Sequence, residues 1–180
     1  MSTTEQTTTT SQIPTGTWNV DSVHSSIGFA VEHSGVMTFR GDFADYDAKL
    51  SDGRLEGTAK VASVRVDEPN LAAHLQTPDF FDAERNPELR FVSSSLERDG
   101  ETVSLSGDLT LRGQIHPVEL AGTVVGPITD AYGKQRIGFD LETTVNRRDY
   151  GLDWSQDLPS GEPMLADDVV ITANLSLVQA

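Results

Sequence analysis

The side chains best suited to catalysis or metal binding are the histidines, and their spacing favours neither role. The four histidines, His24, His33, His74 and His116, are scattered along the chain, and no two of them form the i,i+4 or H-x-H pairs of local zinc motifs. Cysteine is absent, and neither a G-x-S-x-G nucleophile elbow nor a Gly-rich phosphate loop occurs. We therefore predict no catalytic residue, no metal site and no cofactor.

Asp79 and Asp82 are the best remaining candidates for acid–base chemistry. Two carboxylates three residues apart on a helical turn could act as an acid and a base toward a bound substrate. The same spacing is equally what the N-terminal cap of a short helix provides. The sequence leaves both interpretations open.

His33 and Arg147 are the polar residues that continue an apolar alternation. His33 has the same parity as the apolar positions in residues 27–31, and Arg147 has the same parity as the apolar positions in residues 139–145. An unpaired buried guanidinium is expensive, so Arg147 needs a partner. The candidate partners are the carboxylates of Asp149, Asp79 and Asp82. The alternative is that His33 or Arg147 binds the polar head of a ligand.

The elements that must position these residues are strands, because apolar and polar residues alternate along most of the chain. The clearest inward faces are Ile27, Phe29 and Val31; Met37, Phe39 and Phe43; Val103, Leu105, Leu109 and Leu111; Ile137, Phe139, Leu141 and Val145; and Val169, Ile171, Leu175 and Leu177. Further strands are expected at about 54–66, 88–98 and 115–128. The first two change parity midway, which indicates a bulge or a bend.

The connections predict the topology. Turn residues at 51–53, 98–100 and 130–133 predict hairpins. About eight meandering strands close into a barrel, because closure removes exposed edges. We therefore predict an all-β fold, an eight-stranded antiparallel up-and-down barrel. Residues 69–86 interrupt it with two short helical turns broken at Pro78, either as a lid over one mouth or as an ordinary connection that caps the core.

The size of the inward residues decides whether such a barrel is filled or hollow. Small residues fall among the inward positions: Gly41, Gly57, Ala59, Gly107, Gly122, Thr143 and Ala173. They favour a channel with aliphatic and aromatic walls, which suits an elongated hydrocarbon. The alternative is that the glycines mark tight corners or bulges.

Composition limits the remaining possibilities. The Thr- and Ser-rich residues 1–16 are predicted to be a disordered tail, and residues 17–180 to form one domain. A net charge of −15 disfavours nucleic acid and anionic lipid headgroups. The sequence has no apolar run long enough for membrane insertion and no secretion signal, so we expect a cytoplasmic location.

Several segments, in their order and spacing, resemble the YceI-like (polyisoprenoid-binding) family. They are WNVD at 18–21 with His24-Ser25, FAVEH at 29–33, GDF at 41–43, His74-Leu75 with DFFD at 79–82, GDLTLRG at 107–113 with Pro117-Val118, and RRDYG at 147–151. The resemblance runs from about Trp18 to Val178. It implies a lipocalin-like barrel that holds a polyisoprenoid or an isoprenoid quinone in a deep pocket, and it supplies no catalytic residue.

We therefore predict a protein that binds, stores or transports an isoprenoid lipid and is not an enzyme. The predicted ligand-binding residues are Phe29, Val31, His33, Phe39, Phe43, Leu75, Phe80, Phe81, Phe91, Leu109, Leu111, Leu120, Phe139, Leu141, Arg147 and Tyr150. Two alternatives stay open, an enzyme that acts on a lipid-like substrate and a stress-related interaction protein with a filled barrel. A homodimer also stays open.

Overall fold

A computed structural model describes residues 12–180. Of the tail predicted for residues 1–16, residues 1–11 lie outside the described part, and there the prediction stays a prediction. In the rest of that segment, Ile13 packs against the hydrophobic core. The Gly16 amide donates to the Asp52 carboxylate at 2.9 Å.

Strands are the dominant regular element of the described chain. They are β1 (Thr17–Val20), β2 (Ser26–His33), β3 (Met37–Phe43), β4 (Tyr46–Ser51), β5 (Arg54–Lys60), β6 (Val64–Arg65), β7 (Glu88–Asp99), β8 (Thr102–Leu111), β9 (Gln114–Thr129), β10 (Gln135–Asn146) and β11 (Leu165–Gln179). One α-helix, α1 (Pro69–Leu75), and two 3₁₀ turns, Val61–Ser63 and Arg147–Tyr150, complete the regular structure of this part.

The strand segments combine into an eight-stranded barrel. β1 and β2 lie end to end along one edge of β11, while β10 pairs along its other edge. In the same way β3 and β4 form one broken strand, and β5 and β6 another, since β3 pairs with β6 and β4 with β5. All pairings are antiparallel and the ring closes through β1 and β11. The predicted eight-stranded antiparallel up-and-down barrel is confirmed.

The predicted hairpins and irregularities are also present. Asp52 and Gly53 have φ values of 49° and 82° in the β4–β5 turn, as a two-residue type I′ hairpin requires. The expected irregularity in the 54–66 strand is the 3₁₀ turn between β5 and β6. The one in the 88–98 strand is a bulge between Ser93 and Ser95. These irregularities explain why the alternation of each strand changes parity.

The segment predicted as two helical turns contains one helix. α1 begins at Pro69, whose missing N–H costs nothing at a first helical position. The Glu68 carboxylate caps it by accepting from the Leu71 amide at 2.6 Å. Neither Asp79 nor Asp82 is a helix cap, because α1 ends before both of them. Asp79 instead lies 3.0 Å from Nε2 of His74.

The two ends of the barrel differ. The packed end carries the β4–β5, β7–β8 and β9–β10 turns, and the covered end carries the β2–β3 and β8–β9 turns together with α1 and residues 147–164. Side chains fill the packed end, where Leu50, Ile137 and Leu177 have no exposed surface. The apolar lining therefore forms a packed core over that half of the barrel.

The small inward residues do not leave a channel along the whole barrel. A Cβ on Gly41 would stand 2.5 Å from the ring of Phe29, and one on Gly107 would stand 2.7 Å from the ring of Phe91. A Cβ on Gly122 would collide with the Asp140 carbonyl. At these positions the glycines leave no channel, because phenylalanine rings and neighbouring backbone occupy the space beside them.

Candidate functional site

A cavity of about 340 Å³ lies at the covered end of the barrel. Its walls are the inward faces of β2, β3 and β11, and its cover is α1 together with the segment that follows Arg147. This volume falls in the range of roughly 300–1,000 Å³ that is typical of small-molecule sites, near its lower limit. The barrel is therefore filled at one end and hollow at the other.

Ten of the sixteen predicted ligand-binding residues line this cavity. They are Phe29, Val31, His33, Phe39, Phe43, Leu75, Phe80, Phe81, Leu111 and Arg147. The parity of β2 and β3 placed the first five correctly on the inward face. The lid interpretation of residues 69–86 accounts for Leu75 and the two phenylalanines.

The other six predicted residues do not line it. Phe91, Leu109, Leu120, Phe139 and Leu141 belong to the buried core of the barrel. Tyr150 is 1% exposed and packs edge-to-face on His116, with ring centroids 4.9 Å apart. Inward parity therefore identifies the core but does not separate the part that faces the cavity from the part that is packed.

Three aromatic rings form the deep wall of the cavity. The ring centroids of Phe29 and Phe43 are 5.8 Å apart, those of Phe29 and Phe81 6.4 Å, and those of Phe43 and Phe81 5.9 Å. These distances are typical of favourable tilted and edge-to-face aromatic pairs. The cluster joins the barrel strands to the covering segment, so it fixes both the depth and the cover of the cavity.

Sequence reasoning missed the second half of the cover. Leu152, Trp154 and Met164 line the cavity from a segment without strand or helix periodicity, and Leu165 lines it from the first position of β11. Trp154 packs on the first half of the cover. Its ring centroid lies 5.3 Å from that of His74 in α1 and 5.4 Å from that of Phe80, which follows α1. The only available clue was a large aromatic residue in a Gly-, Asp- and Pro-rich stretch.

Arg147 anchors this second cover. Its Nη1 donates to the carbonyls of Leu152 at 2.6 Å and Trp154 at 2.7 Å, and its Nε donates to Ala166 at 2.9 Å. The predicted partners Asp149, Asp79 and Asp82 are wrong, since the nearest carboxylate is that of Asp167 at 3.8 Å. Burial lowers the pKa of the guanidinium, and the neighbouring charge of Arg148 adds to this effect. Arg147 therefore positions the cover through backbone carbonyls.

Arg112 links the two covering segments. Its Nη2 donates to the Pro78 carbonyl at 2.7 Å, and its Nη1 donates to the Gly151 carbonyl. One guanidinium from the β8–β9 turn thus holds the end of the α1 segment beside the start of the other cover. The cover is tied to the barrel at Arg112 and Arg147.

The chemistry of the lining is almost entirely that of hydrocarbon. Among the described residues that face the cavity, only His33, His74 and Arg147 have ionisable side chains, and none has a carboxylate, hydroxyl or thiol. Residues 12–180 contain no group of three His, Cys, Asp or Glu side chains arranged for a metal ion. The site offers apolar burial and few groups for acid–base or nucleophilic chemistry.

A second, polar groove of about 580 Å³ lies in the barrel wall between β9 and β10. The described β9–β10 pairing stops at Ala121 and Glu142. Pro117, which cannot donate to a ladder, lies just beyond that point on β9. Tyr150 fills the gap from the inner side, and the carbonyl of the preceding Asp149 lies 2.8 Å from Nε2 of His116.

Comparisons with known proteins agree with this architecture. The profile of the YceI-like domain family matches residues 18–177. A UPF0312 protein of Staphylococcus epidermidis is 32% identical over 169 residues, covering 87% of this chain and 94% of the relative. No helix of the described residues is long and apolar enough to cross a membrane.

Two solved structures share the fold. Burkholderia cenocepacia BcnA superposes with a TM-score of 0.75 at 21% identity, covering 87% of this chain and 98% of BcnA. A polyisoprenoid-binding domain from Saccharophagus degradans, implicated in plant cell wall breakdown, superposes with a TM-score of 0.70 at 13% identity, covering 91% and 98% of the two chains.

Proposed function

This chain belongs to the YceI-like family, and we propose that its cavity binds the chain of an elongated isoprenoid lipid, either a polyisoprenoid or an isoprenoid quinone. The observation that carries the proposal is the lining, which is apolar except for two histidines and for Arg147, whose Nε and Nη1 donate to backbone carbonyls. Such a site stabilises hydrocarbon by about 0.8 kcal/mol for each buried CH₂ group. Affinity then grows with the length of chain enclosed.

The choice of an isoprenoid over another hydrocarbon draws on the Saccharophagus degradans domain, a polyisoprenoid-binding protein of the same fold. The cavity of about 340 Å³ is small for a long polyisoprenoid. We expect it to enclose one end of such a chain, while the remainder lies outside the cavity.

Binding, storage or transport fits the site better than catalysis. Acid–base or nucleophilic chemistry needs a positioned acid, base or nucleophile within hydrogen-bond reach of the reacting atoms. His74 interacts with Asp79 at the cover and packs on Phe80 and Trp154, which is a structural role. Turnover of a prenyl substrate that is lost in both His33→Ala and His74→Ala variants would favour the enzyme instead.

The two tryptophans allow a direct binding test. Trp154 lines the cavity, whereas Trp18 is 1% exposed in the core and does not line it. Titration with a prenyl quinone, whose ring quenches indole emission, is expected to quench Trp154 saturably. A Trp154→Phe variant should lose most of the quenching, because Trp18 is shielded.

Neighbouring valines on β11 supply a matched pair of variants. Val169 faces the cavity and Val170 does not line it, although both are half-buried. Val169→Phe fills part of the cavity and is expected to weaken binding about tenfold, which corresponds to losing burial of roughly two CH₂ groups. Val170→Phe should bind like the parent chain. Equal affinity of the two variants, or no saturable quenching in the parent chain, would contradict the proposed function.

A further inference from the structure

The tip of the β2–β3 hairpin presents apolar side chains to solvent. Val36 is 82% exposed and Met37 is 61% exposed. The turn is well defined, because Ser34 and Gly35 have φ values of 56° and 69°, as in a type I′ hairpin. The Ser34 amide also donates to the Met164 carbonyl at 2.7 Å. The tip is therefore held in place against the cover, with Val36 pointing away from the barrel.

This tip is continuous with the interior. Met37 lines the cavity although more than half of its surface is exposed, and His33 at the other side of the same turn also lines it. Met164, which receives the Ser34 hydrogen bond, is a third member of the lining. An apolar path thus runs from Val36 on the outside, over Met37, to the cavity wall at Phe39 and Val31.

We propose that the β2–β3 tip docks transiently on a lipid bilayer without net negative charge, an inference that rests on the proposed function. An isoprenoid would then pass between bilayer and cavity without crossing water. Exposed apolar side chains at the rim of a hydrocarbon site match the acyl region of a bilayer. Transfer through such a contact avoids exposing the whole chain to solvent, which costs about 0.8 kcal/mol for each CH₂ group.

Charge selects the kind of bilayer. The chain has a net charge of −15. Exposed carboxylates lie beside the tip, at Glu32 on β2 and at Asp168 on the facing part of β11, where the neighbouring Asp167 is paired with Arg148. An anionic surface would repel them, with a strength that falls as salt screens it. The tip therefore fits a zwitterionic surface better than an anionic one.

The test is the rate at which a prenyl quinone moves from phosphatidylcholine vesicles to the protein, followed by quenching of Trp154. For the parent chain we expect a rate that rises with vesicle concentration, as collision requires. Val36→Glu should slow transfer about tenfold, the factor expected from losing the burial of one valine. Vesicles that contain phosphatidylserine should also give slower transfer at low salt.

Tyr132→Glu is the matched control. Tyr132 is 88% exposed and lies in the β9–β10 turn at the packed end, far from the cavity. Its transfer rate should equal that of the parent chain. Equal rates for Val36→Glu and the parent chain, or a rate independent of vesicle concentration, would overturn the docking surface. So would unchanged vesicle transfer accompanied by capture of a partner protein through Val36.

A separate measurement keeps the two proposals distinguishable. The affinity for prenyl quinone delivered from detergent solution should be the same in Val36→Glu and in the parent chain, because Val36 does not line the cavity. Failure of the parent chain to bind detergent-delivered quinone would refute the proposed function. Normal binding with unaltered transfer in Val36→Glu would refute the docking surface alone.

Discussion

The ring of Phe91 lies across Gly107 on the neighbouring strand, and a Cβ on Gly107 would stand only 2.7 Å from that ring. The same position would come closer still to the Val92 carbonyl oxygen. The space that glycine leaves inside the barrel is thus already occupied. This relationship closes the middle of the barrel and confines the cavity to the covered end.

Gly107→Ala is expected to destabilise the fold by about 1–3 kcal/mol, because the added methyl group collides with backbone that cannot move freely. Gly57→Ala is the control, since a Cβ there meets only the Asp47 carbonyl at 3.8 Å. That variant should be neutral or more stable by roughly 0.5–1 kcal/mol. Urea unfolding followed by circular dichroism measures both, and equal stabilities would argue against a filled barrel centre.

Arg147→Met should destabilise the protein by about 2–5 kcal/mol, since it leaves the carbonyls of the second cover without their donors. Arg147→Lys should recover little of this loss, because an ammonium cannot reproduce the planar fork. Hydrogen exchange should rise within residues 151–166. Arg148→Met removes only an exposed pair with Asp167 and is expected to cost far less than Arg147→Met. Comparable losses in the two methionine variants would contradict the anchoring role.

The carboxyl of Asp21 should contribute to acid stability. Hydrogen bonds from His24, and then from Arg136, lower its pKa from 3.8 to about 2. Its contribution is therefore complete above about pH 4 and is lost as the pH falls toward 2, because the unfolded chain takes up the proton first. Asp21→Asn should be less stable than the parent chain at pH 7. Chemical denaturation at several pH values should show that deficit shrinking near pH 2, and a constant deficit would contradict the assignment.

Ionisation of Tyr150 should lower the stability of the fold at alkaline pH. Burial raises the pKa of its phenol from 10.0 to about 12, and its hydroxyl has no hydrogen-bond partner among residues 12–180. The stability that the raised pKa provides is present in full below about pH 10. It is lost as the pH rises toward 12, because the Tyr150 phenol ionises at lower pH in the unfolded chain than in the folded one. Tyr150→Phe should raise the unfolding free energy at pH 7 by about 1 kcal/mol and reduce the alkaline loss. Tyr132→Phe, at an exposed site, is the control. A less stable Tyr150→Phe would show that the hydroxyl is satisfied.

The strands were predictable because each has one buried and one solvated face. In β10, for example, Ile137, Phe139 and Leu141 are buried while Asp140 and Glu142 are exposed. The hairpin at Asp52 and Gly53 was equally predictable from the sequence, since few residue types adopt positive φ. Local pattern and turn chemistry thus determine the barrel, and the family resemblance is confirmed by the match over residues 18–177.

The position of the cavity was not predictable from the same information. Gly107 has inward parity, but whether a ring from the next strand lies over it depends on register and on a rotamer. Trp154 belongs to a segment without periodicity, and its place in the cover follows from hydrogen bonds to Arg147 and aromatic contacts with His74 and Phe80. These are tertiary relationships that alternation does not encode.

Isoprenoid binding is tested most directly by the mass of what the cavity holds in the protein's own host. Native mass spectrometry, followed by organic extraction of the purified protein, should reveal one prenyl chain per protein molecule. The Val169→Phe variant should carry less of it than Val170→Phe. Protein that has only the mass of its sequence, and that takes up no added prenyl quinone, would contradict isoprenoid binding in this cavity.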